Sequence, residues 1–180
     1  MSNPNTRESW IRLWSDNLDK YGSDPCHIAR WLFIANLCIT SKSVLDVASG
    51  PGWFGDFLPK RIFYERVDFC EDALKIKPGP YIVADIVPFP RFDRTWDSVV
   101  AMEILEHLDD PGPFIHCCFN LCNHQAIFSV PNDRLGPDQE PFHVRKYDID
   151  SFRYLFYRLG YSGHFTTFCL RDNLICQIRK

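Results

Sequence analysis

Four residues of this 180-residue chain, Glu103, Glu106, His107 and His143, combine the side-chain types used in acid–base and metal chemistry. The first three stand at i, i+3 and i+4, so in a helical segment they share one face. Two carboxylates and two imidazoles suit a borderline or hard divalent ion such as Mg²⁺, Mn²⁺, Co²⁺ or Fe²⁺ rather than a soft one. Without an ion, His107 or His143 is the candidate general base, or the Glu-His pair only shapes a pocket. A second cluster, His116, Cys117, Cys118, Cys122 and His124, has zinc-ligand chemistry but no C-x-x-C knuckle. Cys118 and Cys122 fit the buried stripe of a helix, so this cluster reads as packed thiols rather than a zinc site.

A second stretch carries a different chemistry. Val44, Leu45 and Val47 form a short apolar run that ends in Ala48-Ser49-Gly50-Pro51-Gly52-Trp53-Phe54-Gly55. The spacing of the glycines alone is compatible with a nicotinamide or flavin dinucleotide site. Asp46 decides against it, because a carboxylate beside a pyrophosphate meets like charge. An acid there suits a ligand that is cationic or offers an amino group. The acid-then-glycines form resembles the first motif of the class I S-adenosylmethionine (SAM)-dependent methyltransferases, and SAM carries both a sulfonium and an ammonium.

That resemblance covers Ser43 to Lys180 and implies a set of cofactor contacts: Asp46, Ala48, Gly50, Gly52, Asp68, Phe69, Asp85, Ile86 and Met102. Asp68 follows the first motif by about 20 residues, where an acid accepts from both ribose hydroxyls. By the same resemblance Asp85 accepts from the adenine amino group and Ile86 packs on the ring. The run Glu103 to Pro111 resembles the Glu-x-x-Glu-His-x-x-Asp-Pro of ubiquinone-biosynthesis O-methyltransferases. Glu103, Glu106, His107 and His143 are similar to the metal-holding residues of small-RNA 3′-terminal 2′-O-methyltransferases. The implied activity is methyl transfer (EC 2.1.1 type) to an oxygen of a small molecule or nucleotide end bearing adjacent hydroxyls. A SAM-binding protein without catalysis is the alternative.

The elements that must position these residues follow from periodicity and punctuation. Asn5 and Glu8 have capping-box spacing, followed by Trp10, Leu13, Trp14, Leu18 and Tyr21 at helical intervals. Asp24-Pro25 opens a second helix with the apolar stripe Ile28, Trp31, Leu32, Ala35 and Ile39. These two helices, residues 1–42, either form a lid over cofactor and substrate or only cover a sheet face. Strands are expected at 44–47, 62–68, 81–84, 96–102 and 126–130, and a helix after the glycine turn. Glu65 and Arg66 are polar intrusions in the second strand. Pro88 and Pro90 argue against a helix after Asp85, and Asp110-Pro111 and Asp148 open further helices. A polar loop with Gly136, Pro137 and Pro141 leads to His143. Two strands at 163–170 and 174–178 close the chain as a hairpin. The expected architecture is one α/β domain over residues 1–180. Its core is a doubly wound, seven-stranded, mostly parallel sheet of the Rossmann-like methyltransferase kind, with an antiparallel C-terminal hairpin.

Composition bounds the rest. Hydrophobic residues make up 46% of the chain, ample for one core, and the formal net charge of −3 gives no global basic field toward nucleic acid. A nucleotide substrate is compatible with this, though net charge does not indicate it. Arg145, Lys146, Arg153 and Arg158 read as a solvated surface. The N-terminus is polar, unlike a signal peptide, and no apolar run approaches the roughly 20 residues of a membrane span. The eight cysteines therefore read as reduced, mostly buried thiols of a cytoplasmic protein. Oligomeric state has no signature here.

Overall fold

The structure is a computed structural model, and it describes residues 5–21, 24–132 and 140–180. Seven strands form one sheet in the order β3-β2-β1-β4-β5-β7-β6. They are β1 (Ser43–Val47), β2 (Phe63–Asp68), β3 (Tyr81–Val83), β4 (Trp96–Met102), β5 (Cys122–Pro131), β6 (Phe165–Cys169) and β7 (Asn173–Arg179). The first five are parallel, and β7 pairs antiparallel with both β5 and β6. The strand order reverses between β1 and β4, so a crevice opens at the carboxyl ends of these two neighbours. The doubly wound architecture expected from the alternation is borne out.

Helices cover both faces. α1 (Arg7–Tyr21) and α2 (Pro25–Leu37) precede the sheet, and α3 (Glu71–Leu74), α4 (Pro111–Leu121) and α5 (Ile149–Arg158) alternate with the strands. One core lies between α4, α5 and the sheet, with Val99, Ala101, Phe114, Phe128, Phe152 and Phe156 in it. The other joins α2 to the opposite face through Trp31, Ile34, Ala35 and Cys38 against Val44, Val100 and Ile127. The caps of α2, α4 and α5 are those the sequence predicts: Asp24, Asp110 and Asp148 each accept from a backbone amide of the first turn.

Five expectations need correction. Cys122, read in the buried stripe of a helix, is the first residue of β5, which starts there rather than at Ala126 because the chain turns extended directly after Leu121. The cap of α1 is Thr6, whose Oγ1 accepts from the Ser9 amide at 3.2 Å. Asn5 instead reaches across the molecule and donates to the carbonyls of His107 and Phe142. The stripe of α2 is shifted: Leu32 and Ile39 are exposed, and Ile34 and Cys38 take the buried positions at i+3 and i+7 from Trp31. The segment after the glycine turn is a single 3₁₀ stretch, Trp53–Phe57, rather than an α-helix. Cys169, read as part of an apolar segment, is exposed, as is Cys26. The helix-1 side chains of Leu18 and Tyr21, and Gly136 and Pro137 of the polar loop, lie outside the described side chains and residues.

The polar intrusions in β2 have a structural role. Arg66 is 1% exposed. Its Nη1 donates to the carbonyls of Pro51 and Leu74, and its Nη2 to those of Lys77 and Gly79, at 2.9 to 3.3 Å. A buried cation is tolerated when its donors are satisfied, and here they tie the glycine turn to the α3–β3 connection. Gly52, at φ +79°, lies against this side chain, and a Cβ there would come within 2.3 Å of Arg66 Cδ. Glu65 is likewise buried and pairs with Arg94. Arg66→Met keeps the aliphatic stem but strands four carbonyls, each worth about 1–3 kcal/mol when left buried without a partner. Urea denaturation should show a loss of roughly 3–5 kcal/mol. A change below about 1 kcal/mol would mean that water reaches and satisfies these carbonyls.

Candidate functional site

β1 ends in a strained turn. Ala48 has φ 59°, outside the comfortable range of a residue with a side chain, and Gly50 and Gly52 follow at 52° and 79°. The Ser49 amide donates to the Val67 carbonyl, and the Gly50 amide donates to Asp68 Oδ2 at 2.8 Å. Asp68 Oδ1 accepts from the Cys70 amide at 2.9 Å, so both of its oxygens hold backbone. The ribose role that the resemblance gives Asp68 therefore shares its carboxylate with two amide bonds in this structure.

Asp46 is 1% exposed. Tyr64 donates its hydroxyl to Asp46 Oδ2 at 2.6 Å, while Oδ1 is buried with no hydrogen-bond partner. Burial pushes the carboxyl up to about 7, opposed by the Tyr64 bond and reinforced by the charge of Asp68. An orphaned carboxylate oxygen at the mouth of the glycine turn suits a ligand that is cationic or offers an amino group, the kind the sequence reading expects there.

The carboxyl end of β4 presents the second constellation. Glu103 takes φ 53°, its amide donating to the Ser129 carbonyl of β5. The next turn is 3₁₀, Leu105–His107, not α-helical. The tighter turn separates the residues that the i, i+3, i+4 argument placed together. Glu103 Oε1 accepts from Ser129 Oγ at 3.0 Å, and its Oε2 lies 3.1 Å from Arg30 Nη1 of α2. Glu106, His107 and His143 converge instead, with one ligand atom from each lying within 4.8 Å of the others. Glu103 stands outside this trio, as its carboxylate is taken by Arg30.

The trio is assembled by backbone. The Glu106 carbonyl accepts from the amides of Val144 and Arg145, which zips the His143 segment onto the turn after β4. Arg145 Nε donates to the Leu108 carbonyl at 2.8 Å. Asn5 bridges both segments from the chain's start. His107 Nδ1 lies 2.8 Å from the Phe142 carbonyl. A carbonyl only accepts, so Nδ1 carries the proton and Nε2 keeps its lone pair. Burial, with His143 nearby, lowers the His107 pKa to about 4 despite that bond. The ring is therefore neutral, and the 3.8 Å from its Nε2 to Glu106 Oε1 is neither an ion pair nor a hydrogen bond. Glu106 has both oxygens buried without partners, and burial plus the Glu103 charge raise its carboxyl pKa well above the usual range.

Two cavities meet here. The first, about 240 Å³, is lined by Asp46, Ala48, Met102, Glu103, Glu106, His107 and His143. The second, about 690 Å³, is lined by Phe69, Asp85 and Ile86. Trp10 and His107 line both, so the residues assigned to one cofactor fall on either side of the Trp10 indole. Sequence reasoning missed the aromatic wall: Trp10, Trp14, Trp31 and Trp53 all line the first cavity. The signal was available in the concentration of tryptophan ahead of and within the first motif. It also missed Arg30, which carries no motif. The His116 to His124 cluster forms no metal group among the described residues, and His116 Nδ1 pairs with the Tyr161 hydroxyl at 2.7 Å.

Comparisons with known proteins bear on the fold. No family model matches the chain. A "probable S-adenosylmethionine-dependent methyltransferase" from two strains of Mycobacterium tuberculosis is 25% identical over 137 residues, covering 68% of this chain and 49% of the relative. The chain thus spans about half the length of the curated relatives it matches. Among solved structures, the magnesium protoporphyrin IX methyltransferase of Synechocystis PCC 6803, with bound SAH, superposes with a TM-score of 0.72 at 12% identity. That match covers 97% of each chain. The small RNA methyltransferase HEN1 superposes with a TM-score of 0.69 at 15% identity over 86% of this chain and 25% of its own. The fold expected from the motifs is borne out.

Asp46 generates a prediction of sign. Its folded-state pKa of about 7 lies above the ordinary 3.8, so the folded state prefers the protonated carboxyl. Its contribution to stability is present below the unfolded value and is lost as pH rises through about 7. Asp46→Asn, which stays neutral, should match the parent's melting temperature at low pH and exceed it above pH 7, while binding SAM more weakly. Thermal melts of both proteins across this range check it. Parallel melting curves would show that Asp46 is not desolvated.

Proposed function

From a chain with the class I SAM-dependent methyltransferase fold, we propose a SAM-dependent methyltransferase that acts on an oxygen of an acceptor with adjacent hydroxyls. The observation that carries the reading is the orphaned Asp46 oxygen at the strained glycine turn, facing the same cavity as Glu106, His107 and His143. SAM supplies a methyl group that is already electrophilic.

The chain's own residues have three tasks. Asp46 and the backbone of residues 48–52 hold the amino-acid end, and Asp85 and Ile86 in the second cavity serve the adenine. The indoles around the first cavity exclude water and offer flat faces to an acceptor. Holding acceptor and methyl group in line is the largest share, since well-oriented reactions reach effective molarities of about 10⁵–10⁸ M.

His107, neutral with a bare Nε2, is suited either to take the acceptor's proton or to ligate an ion. One carboxylate and two imidazoles fit a borderline divalent ion and leave positions open for substrate oxygens. The unpartnered oxygens of Glu106 support this fit. A divalent ion held by Glu106, His107 and His143, with Glu103 as a fourth ligand if it leaves Arg30, would lower the acceptor hydroxyl's pKa. Acceptor classes suggested by the two motif resemblances are a catechol-like small molecule and a terminal ribose.

A panel of catechols and RNA 3′ ends with labelled SAM tests the reading. Transfer is expected to need a divalent ion and to be lost on exhaustive chelation. His107→Ala and His143→Ala should each lower turnover by roughly 10²-fold or more, with SAH affinity retained. Turnover that survives chelation removes the ion from the reading. SAM binding with no transfer to any acceptor favours a non-catalytic SAM-binding protein.

A further inference from the structure

α5 carries chemistry that neither cavity uses. Phe152 and Phe156 bury one side of it in the core, with Leu155 partly buried beside them. The side turned to solvent carries Arg153 and Tyr154, then Tyr157 and Arg158, at the spacing of neighbours on a helix. Tyr154 and Tyr157 are 58% and 61% exposed. Their rings are stacked, with centroids 6.4 Å apart and planes 19° from parallel. The Arg158 guanidinium lies 5.9 Å from the centre of the Tyr154 ring, within cation–π range. Tyrosine and arginine together are the residues enriched where a surface meets a partner, whereas Lys and Glu dominate idle surface. From Ser151 to Arg171 the chain has no Asp or Glu, although 23 of its 180 residues are acidic. The face is therefore locally positive on a chain whose formal charge is −3.

Tyr154 and Arg158 also line a groove of about 490 Å³, together with Arg145, Lys146 and Asp110. Three cations there face one acid. That acid caps α4, accepting from the Gly112 amide at 3.0 Å, so its charge is partly spent on the helix. Arg145 is held by the carbonyls of Leu108 and Asp109, which fixes that wall of the groove. The groove shares no lining residue with the first cavity and only Asp110 with the second. Positive charge selects an anion, and exposed ring faces select a flat π system. Every nucleic-acid base has such a face, and a phosphate stands close to it. A lipid head group or an acidic peptide would meet the arginines and leave the rings idle, whereas a nucleotide meets both.

We propose that the α5 groove is a nucleotide site apart from the cofactor cavities, in which Tyr154 and Tyr157 stack a base while the charges of Arg145, Lys146 and Arg158 hold its phosphate. It does not rest on the cofactor reading above. The same chemistry is offered by a free nucleotide and by a nucleotide within a single strand, and the probes below separate these two sources.

The test uses the full chain. Fluorescence anisotropy reads binding of a labelled oligouridylate at low salt, and calorimetry reads UMP and AMP. Inorganic polyphosphate, which has the charge without the bases, is the control. Nucleotide probes should bind more tightly than polyphosphate of matched charge. Binding of UMP or AMP identifies a free nucleotide as the ligand, and binding of the oligouridylate alone identifies a strand. Tyr154→Leu and Tyr157→Leu should each weaken nucleotide binding by roughly 5- to 100-fold, the range of one stacked base, and leave polyphosphate binding unchanged. Arg158→Gln should weaken all anions and, for the strand, flatten the dependence of log K on log salt by roughly 0.7. These three positions are exposed, so the variants should melt with the parent and bind SAM as it does. Polyphosphate binding as tightly as the nucleotides overturns the proposal, because charge alone would then explain it. Tyrosine variants that bind like the parent, or a parent that binds no nucleotide probe, overturn it too. SAM titrations of the same samples show separately whether the cofactor reading stands.

Discussion

Charge buried without a partner is the constraint on which this structure turns. Elsewhere among the described residues, buried ionic groups are satisfied. Arg66 spends its donors on four carbonyls, Asp68 accepts two amides, and Glu65 meets Arg94. At one cavity the rule fails in whole or in part: Glu106 has neither oxygen bonded, Asp46 has one oxygen bonded to Tyr64 and one orphaned, and Arg30 pairs with Glu103 while its Nε and Nη1 make no hydrogen bond. Taking a charge out of water costs several kcal/mol even after relaxation. Such groups persist where an incoming ligand offsets that cost, and their clustering marks the site more sharply than its shape does.

Strain points to the same place. Among the described residues, the non-glycine residues with positive φ are Ala48 and Glu103. Each stands just past the carboxyl end of a central strand, β1 or β4, and these strands are neighbours at the reversal of strand order. Each left-handed residue turns the chain abruptly off the sheet and brings its following segment over the crevice. The glycine turn and the Glu106-His107 turn thereby face one another across a single cavity. Rigid parallel pairing beneath them fixes their separation, so chemistry borne by two loops is held with the precision of the sheet.

The N-terminal helices line the first cavity as well as covering a face of the sheet. Trp10 meets the His107 ring edge-on at 4.7 Å, and Trp14 packs so closely on Gly50 that a Cβ there would come within 2.7 Å of its ring. α2 contributes Arg30 and Trp31 to the same wall. A site built from both the pre-core helices and the strand ends is closed on more sides than the motif-bearing core alone could close it.

Local chemistry made much of this legible in the residues alone. Strand and helix order follows from apolar periodicity, the caps from Asp24, Asp110 and Asp148, and the turn after β1 from its glycines, because each depends on neighbours within a few positions. Arg66 looked like a flaw in β2 because its partners, the carbonyls of residues 51, 74, 77 and 79, have no side-chain signature. The i, i+3, i+4 grouping of Glu103 with Glu106 and His107 presumed an α-helical turn. A left-handed Glu103 and a 3₁₀ turn gave that carboxylate to Arg30 instead. Asn5 could be read as a cap from its spacing, yet it bonds backbone more than a hundred positions away. Periodicity reports what a residue's neighbours in the chain require. Which distant charge a buried group meets is settled only when the sheet order brings their segments to one edge.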